Sequence, residues 1–375
     1  MDIGGSERAA LLLADHLKAN GDSVLFFFLR RGGKSFVCPY ESHCLGYKHT
    51  DGSQIGEIKG ILEAASKLRA YKKRYRIDVA ISFMEQSNFI NILSKRKERV
   101  IVSTRTTLSS RDDLKGIVYS PTAIKWLYNR AYRVVAVSDY TRDDLLKNYG
   151  IGEKKAVTIS NISTKEPFEY KGKWLYGDET VIHVGRLDPV KQQDRIIRAF
   201  SYLHSLRPNA RLIILGDGKI RRYLRMICEK MNVRESVSFL GFKENVGYYL
   251  ANSKIFVMAS RAEGFPNAMV EAMAYGLPIV TADSFGGVGE IVGKKYSYDE
   301  TLYCEYGILT PGMTGKADYK RDLDKNEILL GEAMNALISD KNLYQRYSQK
   351  SKERSEYYSP KNIWKKWDEI IYMKG

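Results

Sequence analysis

The chain has 375 residues, 44% of them hydrophobic, and a formal net charge of +16. That length holds one large core or two medium ones, and at ~100–200 residues per domain two are expected. No apolar run reaches the roughly 18 residues of a membrane-spanning helix, no signal peptide is visible, and Cys38, Cys44, Cys228 and Cys304 form no CxxC or Cys/His cluster, so a helical span and a Cys/His metal site are excluded and free thiols in a reducing cytosol are expected.

The chain opens with "GGSERAALLLADHLKANG" (4–21), a helical stretch with Gly4 and Gly5 before it, Ser6 placed to cap it and Gly21 to close it. A Gly pair at a helix start lets a phosphate or an acceptor approach; the alternative is a plain turn. Short β-branched and aromatic runs then alternate with helix-length segments. The strands expected in the first half are "SVLFFFL" (23–29), "IDVAISF" (77–83), "RVIVSTR" (99–105), "RVVAVS" (133–138) and "AVTISN" (156–161). The polar, aperiodic "STKEPFEYKGKWLYGDE" marks a break near 162–178. Beyond it come "TVIHVGRL" (180–187), "RLIILGDG" (211–218), "SVSFLGF" (236–242), "KIFVMAS" (254–260), "LPIVTA" (277–282) and "YGILTP" (306–311). Near-continuous apolar strands separated by helices predict parallel sheets covered on both faces, hence two doubly wound domains. The C-terminal stretch predicts a helix, a break at Pro360 and a final amphipathic helix.

Basic residues are denser at 67–76, 94–99 and 364–367. A solvated surface and an anionic bilayer explain them equally well on charge alone. Nucleic acid ranks last as a partner, because no zinc finger, RNP-type motif or helix-turn-helix is present. The acidic "DLD" (322–324) has the look of a metal-binding pair, but Glu327 follows Asp324 by three residues, which predicts a capping box instead.

Four stretches of the second half carry candidate chemistry. In "HVGRLDPVKQQD" (183–194) a strand ends at Gly185, and Arg186 and Lys191 follow, two cations suited to a diphosphate leaving group. "LGDG" (215–218) and "FLGFKEN" (239–245) are further strand-to-Gly turns, where Gly permits close backbone approach. In "EGFPNAMVEAMAYGLPIV" (263–280), Glu263 follows a parallel strand, where open α/β sheets bind ligands. Pro266 fits the first helical turn, leaving free N–H groups at a helix start that favours anions. Asn267 and Glu271, at i and i+4, share one helix face, and Glu271 can accept bonds from two ribose hydroxyls. An exposed carboxylate on an otherwise buried helix is an even alternative.

Together "GGSER…LADHL…G", "VGRLDPVKQ", "LGDG", "FLGF", "SRAEGFPNAMVEAMAYGLPIV", "GGVGEIV" and "YGILTP" resemble the retaining glycosyltransferases of family four, over nearly the whole chain. The resemblance implies a GT-B fold, two Rossmann-like domains facing across a cleft. Residues 1–163, with the last helix (360–375) packing back, would bind acceptor, and 164–359 would bind a nucleotide-sugar donor, a UDP-sugar by family frequency. It implies that Arg186 and Lys191 hold the diphosphate, Glu263 orients the transferred sugar and Glu271 holds the ribose. Backbone of Phe265, Pro266 and Asn267 would meet sugar and phosphate, and residues around Phe242 would flank the base. It implies a metal-independent, retaining hexosyl transfer with no cofactor, to a lipid-linked saccharide, a lipopolysaccharide core or a polysaccharide. An enzyme resting on the anionic inner face of the cell membrane raises the bilayer reading of the charge above the solvated one.

One departure stands out. The family's first strand precedes its Gly-Gly loop, and here Met1 lies three residues before Gly4. Either Met1 is internal and the chain runs ~10 residues further upstream, or the chain is a natural truncation that binds donor without transferring it. The intact later motifs favour the former. A dinucleotide-dependent dehydrogenase ranks low, since no GxGxxG follows a strand.

Overall fold

The computed structural model describes residues 5–30, 38–47, 53–111, 116–163, 165, 174, 176–294, 299–313, 315 and 321–372. The chain divides into two compact units, residues 1–161 with 361–375, and residues 162–360. Much of the expected break at 162–178 lies outside the described residues.

The first unit runs α1 (Gly5–Ala19), β1 (Phe26–Phe28), β2 (Ser42–Cys44), α2 (Gln54–Arg74), β3 (Val79–Phe83), α3 (Glu85–Leu93), β4 (Arg99–Thr104), α4 (Pro121–Tyr128), β5 (Arg133–Ala136), α5 (Asp139–Tyr149) and β6 (Ala156–Thr158). Strands β3-β4-β5-β6 form one parallel sheet and β1-β2 a separate parallel pair. The apolar runs of β4 and β5 are buried because helices cover both faces. Most of β3 is only half-buried, and no described strand pairs with its outer edge. The helix starts at Gly5, so Ser6 lies inside its first turn rather than capping it; Gly21, at φ +95°, closes it as expected. Serines do cap α2, α4 and α5: Ser53, Ser120 and Ser138 accept the N–H of Gly56, Ala123 and Thr141. Near its C-terminal end α2 is anchored by Lys72, whose Nζ lies 2.8 Å from Glu98 Oε1 and 2.7 Å from Asn91 Oδ1. Burial pulls this lysine's pKa down to about 8.

The second unit runs β7 (Thr180–Val184), α6 (Gln193–Leu206), β8 (Arg211–Leu215), α7 (Arg221–Lys230), β9 (Val237–Gly241), α8 (Val246–Asn252), β10 (Ile255–Met258), β11 (Ala262–Glu263), α9 (Asn267–Ala274), β12 (Ile279–Ala282), β13 (Phe285–Gly286), α10 (Val288–Val292), β14 (Leu302–Tyr303), β15 (Ile308–Thr310), α11 (Lys325–Ser339) and α12 (Lys341–Tyr357). Its main sheet has the order β14-β15-β12-β10-β7-β8-β9, parallel except for β14. The chain moves outward from β7 to β9, then returns to lay β10 on the other side of β7. That reversal makes the carboxyl ends of β7 and β10 the topological switch point, the place where such sheets bind ligands.

The capping box is present: Asp324 accepts the Glu327 N–H at 2.9 Å, and Glu327 accepts the Asp324 N–H at 3.0 Å. Glu327, fully buried, also accepts from Arg195 Nη1 and Arg198 Nε, each at 2.7 Å, and so locks α11 onto α6. Asp324 is therefore a structural cap, and Asp322 contributes its backbone carbonyl, which accepts from Arg198 Nη2 at 2.8 Å.

After the Pro360 break, α13 (Pro360–Tyr372) joins the first unit. Its Ile363, Trp367 and Ile371 are buried, Trp364 stacks on His16 at 4.8 Å, and Asp368 Oδ1 lies 2.8 Å from His16 Nε2. Among the described residues no helix is long and apolar enough to cross a membrane.

Candidate active site

The sharpest polar cluster lies at the switch point. Strand β7 ends at Val184, and the Gly185 N–H continues the ladder to Leu215 O at 2.9 Å. A Cβ at Gly216 (φ +123°) would fall 2.1 Å from Gly185 O, and one at Gly218 would fall 2.2 Å from Leu187 O. The close approach that "LGDG" permits is thus to residues 185–187 of the chain itself, which fixes the turn carrying Arg186. The Arg186 guanidinium is 72% exposed and 3.4 Å from Asp188 Oδ2. An exposed pair at that distance contributes at most ~1 kcal/mol, so Arg186 is easily recruited by a stronger anion.

Lys191 closes a single 3-10 turn, Pro189–Lys191, capped by Asp188, whose Oδ1 accepts the Val190 N–H. Its Nζ lies 2.5 Å from Glu263 Oε1, with both side chains mostly buried. Two backbone devices make this contact. The Arg261 N–H donates to Val190 O at 2.8 Å, tying the Lys191 loop to the Glu263 segment. Glu263 itself sits in the two-residue strand β11, which pairs in parallel with β13, and its carbonyl accepts the Gly287 N–H at 2.9 Å. Gly286, at φ +128°, is packed so tightly that a Cβ there would lie 1.7 Å from Glu263 O.

Beneath this pair lies His183, fully buried, with Nδ1 3.0 Å from Val257 O. Burial pushes its pKa down to about 4, with Lys191 adding to the fall, so the ring is neutral at pH 7. Ser260, just past β10, is buried, and its hydroxyl has no partner among the described residues. Sequence patterning offers little to find either residue. A His within "VIHVG" looks like any strand position, and Ser260 looks like any turn residue.

Helix α9 differs from expectation at its start. Pro266 is the cap residue rather than the first helical one, with φ −79° and ψ 84°. The N–H groups are less free than expected. Asn267 donates back to Phe265 O at 3.0 Å, and Met269 and Val270 both donate to Pro266 O. The Phe265 ring is buried edge-on against Tyr358 at 5.2 Å, so its side chain is taken up by packing. Asn267 and Glu271 do share a face: both are half-buried, while Met269, Val270, Ala272 and Met273 between and beside them are buried. Phe242 follows Gly241 (φ +71°) at the end of β9 and is 74% exposed. Two strand spacings, about 10 Å, separate β9 from β7. Gly5 is the exposed first residue of α1, in the other unit, and Gly4 lies outside the described residues. Among the described residues no group of three His, Cys, Asp or Glu is arranged to hold a metal ion.

The family of Glycosyl transferases group 1 matches residues 166–302, and Glycosyltransferase Family 4 matches residues 3–162. The chain belongs to the group 1, family 4 type of glycosyltransferases. Its fold is GT-B. Among solved glycosyltransferase structures, Anabaena Alr3699/HepE in complex with UDP and glucose superposes with a TM-score of 0.73 at 18% identity, covering 100% of this chain and 97% of that one. At that identity the likeness speaks for the fold. Among curated relatives, the N-acetylgalactosamine-N,N'-diacetylbacillosaminyl-diphospho-undecaprenol 4-alpha-N-acetylgalactosaminyltransferase of Campylobacter jejuni is 27% identical over 81% of this chain and 79% of its own length. The amylovoran biosynthesis glycosyltransferase AmsD of Erwinia amylovora is 26% identical over 65% of this chain and 63% of its own. Glycosyltransferases of polysaccharide and lipid-linked glycan assembly are thus among this chain's relatives.

Proposed function

We propose that this glycosyltransferase moves a hexosyl unit from a UDP-sugar to a lipid-linked or polysaccharide acceptor, with retention and without a metal. The observation that carries the reading is the Lys191–Glu263 pair at the switch point, with Arg186 exposed beside it. Lys191 and Arg186 would take the donor diphosphate, whose charge grows as the sugar C1–oxygen bond breaks and its electron pair passes to phosphate. Glu263, fixed by β13, would accept the sugar hydroxyls. Glu271 would hold the ribose and Phe242 would stack beside the base, while backbone at Phe265, Pro266 and Asn267 meets sugar and phosphate. The acceptor oxygen would bond C1 on the face the phosphate leaves, and its proton would pass to the departing phosphate. No enzyme nucleophile is required, so catalysis rests on leaving-group stabilisation and orientation. The acceptor would be taken by the N-terminal unit, by Gly5 at its α1 start and by Gly4 before it in sequence, and the enzyme would work at the cytoplasmic face of an anionic membrane. The undecaprenol-linked substrate in the name of the Campylobacter relative and the UDP bound by the Anabaena protein support this choice of acceptor and donor.

A panel of nucleotide sugars tests it. A UDP-sugar is expected to raise the melting temperature and to be slowly hydrolysed. Lys191→Ala should lower that turnover by about 100-fold or more with an unchanged circular dichroism spectrum. Near-normal turnover in the variant, or stabilisation by no nucleotide sugar, would overturn the assignment.

A further inference from the structure

Helix α2 is apolar on two faces. Ile61, Ala64, Ala65 and Leu68 enter the core of the first unit. Ile55, Ile58 and Leu62 do not: they are 80%, 38% and 54% exposed. At about 100° per residue, these three fall within roughly 60° of the outward circumference. Arg69 and Lys73 share that arc, Lys59 borders it about 40° away, and all three are exposed. Ile117, 69% exposed, extends the apolar end, since its N–H reaches Gln54 Oε1 at 3.4 Å. The basic end is extended too. Arg69 Nη1 donates to Lys95 O at 2.5 Å, which brings the exposed Lys95, Arg96 and Lys97 alongside the helix.

A solvated helix face has no reason to expose three large aliphatic side chains in register. Interleaving them with cations is the pattern of a helix lying in a bilayer interface, with apolar groups below the headgroups and Lys and Arg at phosphate level. Glu63 is the one acid on the outward side of this helix, so the complementary partner is anionic. We infer that the outward face of α2, from Ile55 to Lys73 with Ile117 and the 95–97 loop, docks the enzyme onto an anionic lipid surface. This deepens the membrane-acceptor reading above, on which it rests, by naming the face that meets the lipid. The anchor at Lys72–Glu98 holds the helix rigidly to the unit, so docking by this face would set the first unit's orientation to the bilayer.

Flotation of the full chain with phosphatidylcholine vesicles, with and without phosphatidylglycerol, tests this. The protein should float with the anionic vesicles and be released by high salt. Ile55→Ser with Leu62→Ser, and separately Lys59→Glu with Lys73→Glu, should each lower the vesicle-bound fraction by about tenfold or more. Both pairs are exposed, so melting temperatures should stay at the wild-type value. Wild-type protein that fails to float, or variants that float like it, would overturn the proposal. So would a wild-type dimer in sedimentation that the Ile55/Leu62 variant dissolves, because a second copy would then be the occupant. Donor stabilisation, measured without vesicles, reads the transferase assignment separately: donor binding without flotation overturns the lipid face alone.

Discussion

His183 shows how one residue can be set by its surroundings. It lies under the Gly185 turn, and a Cβ on Gly185 would sit 3.2 Å from its Nε2. With a folded pKa of about 4 against an ordinary ~6.5, the folded ring stays neutral where the unfolded one is charged. Between those values the unfolded chain binds more protons, so this residue's contribution to stability is present above pH ~6.5 and is lost as pH falls towards 4. The full window is worth roughly 3–4 kcal/mol. His183→Asn should flatten the fall in melting temperature between pH 6.5 and 4; a slope equal to wild type would contradict the assignment. Nothing in "VIHVG" announces this, because depth of burial is a property of the sheet. The candidacy of Glu263 and Lys191, by contrast, is legible in sequence, since Glu263 follows an apolar strand and Lys191 follows Arg186 in the loop after another; the role of Glu263 towards the sugar is what the family resemblance implies.

At the scale of elements, the two-residue strands β11 and β13 position Glu263 of the candidate site. Gly286 leaves no room for a side chain against Glu263 O. Gly286→Ala should shift β11 and misplace the Glu263 carboxylate by an ångström or so, lowering turnover by about 100-fold, with a strain cost of ~1–3 kcal/mol. Kinetics alongside a thermal melt checks both, and unchanged turnover would remove β13 from the site. The long apolar strands were legible in sequence: "RVIVSTR", "RLIILGDG" and "KIFVMAS" appear as β4, β8 and β10, shortened at their ends. β11 and β13 were not, because two residues are too few to show a period. The start of α9 was legible to within one residue. The engagement of its N–H groups was not, since the turn at Phe265 and Pro266 depends on where Phe265 packs.

For the whole molecule, the chain's return to its first unit is the feature that reaches furthest. Trp367, 4% exposed, packs near Phe83 with ring centroids 6.3 Å apart, and Arg99 Nη2 donates to Ile371 O at 2.5 Å. Trp367→Ala should destabilise the first unit by ~3–5 kcal/mol. In calorimetry this reads as an earlier transition, with nucleotide-sugar stabilisation retained; an unaltered melt would contradict the packing. By itself the sequence determined the two-unit α/β architecture, the family and the short segments that carry Arg186, Lys191, Glu263 and Glu271, because apolar periodicity and motif spacing are local. Only the tertiary structure decided that Lys191 meets Glu263 across 72 positions, that His183 is neutral, and that Ile55 and Leu62 face outward. The first two depend on which strand lies beside which, an order set by the return of the chain from β9 to β10; the third depends on which face of α2 packs into the core of the first unit.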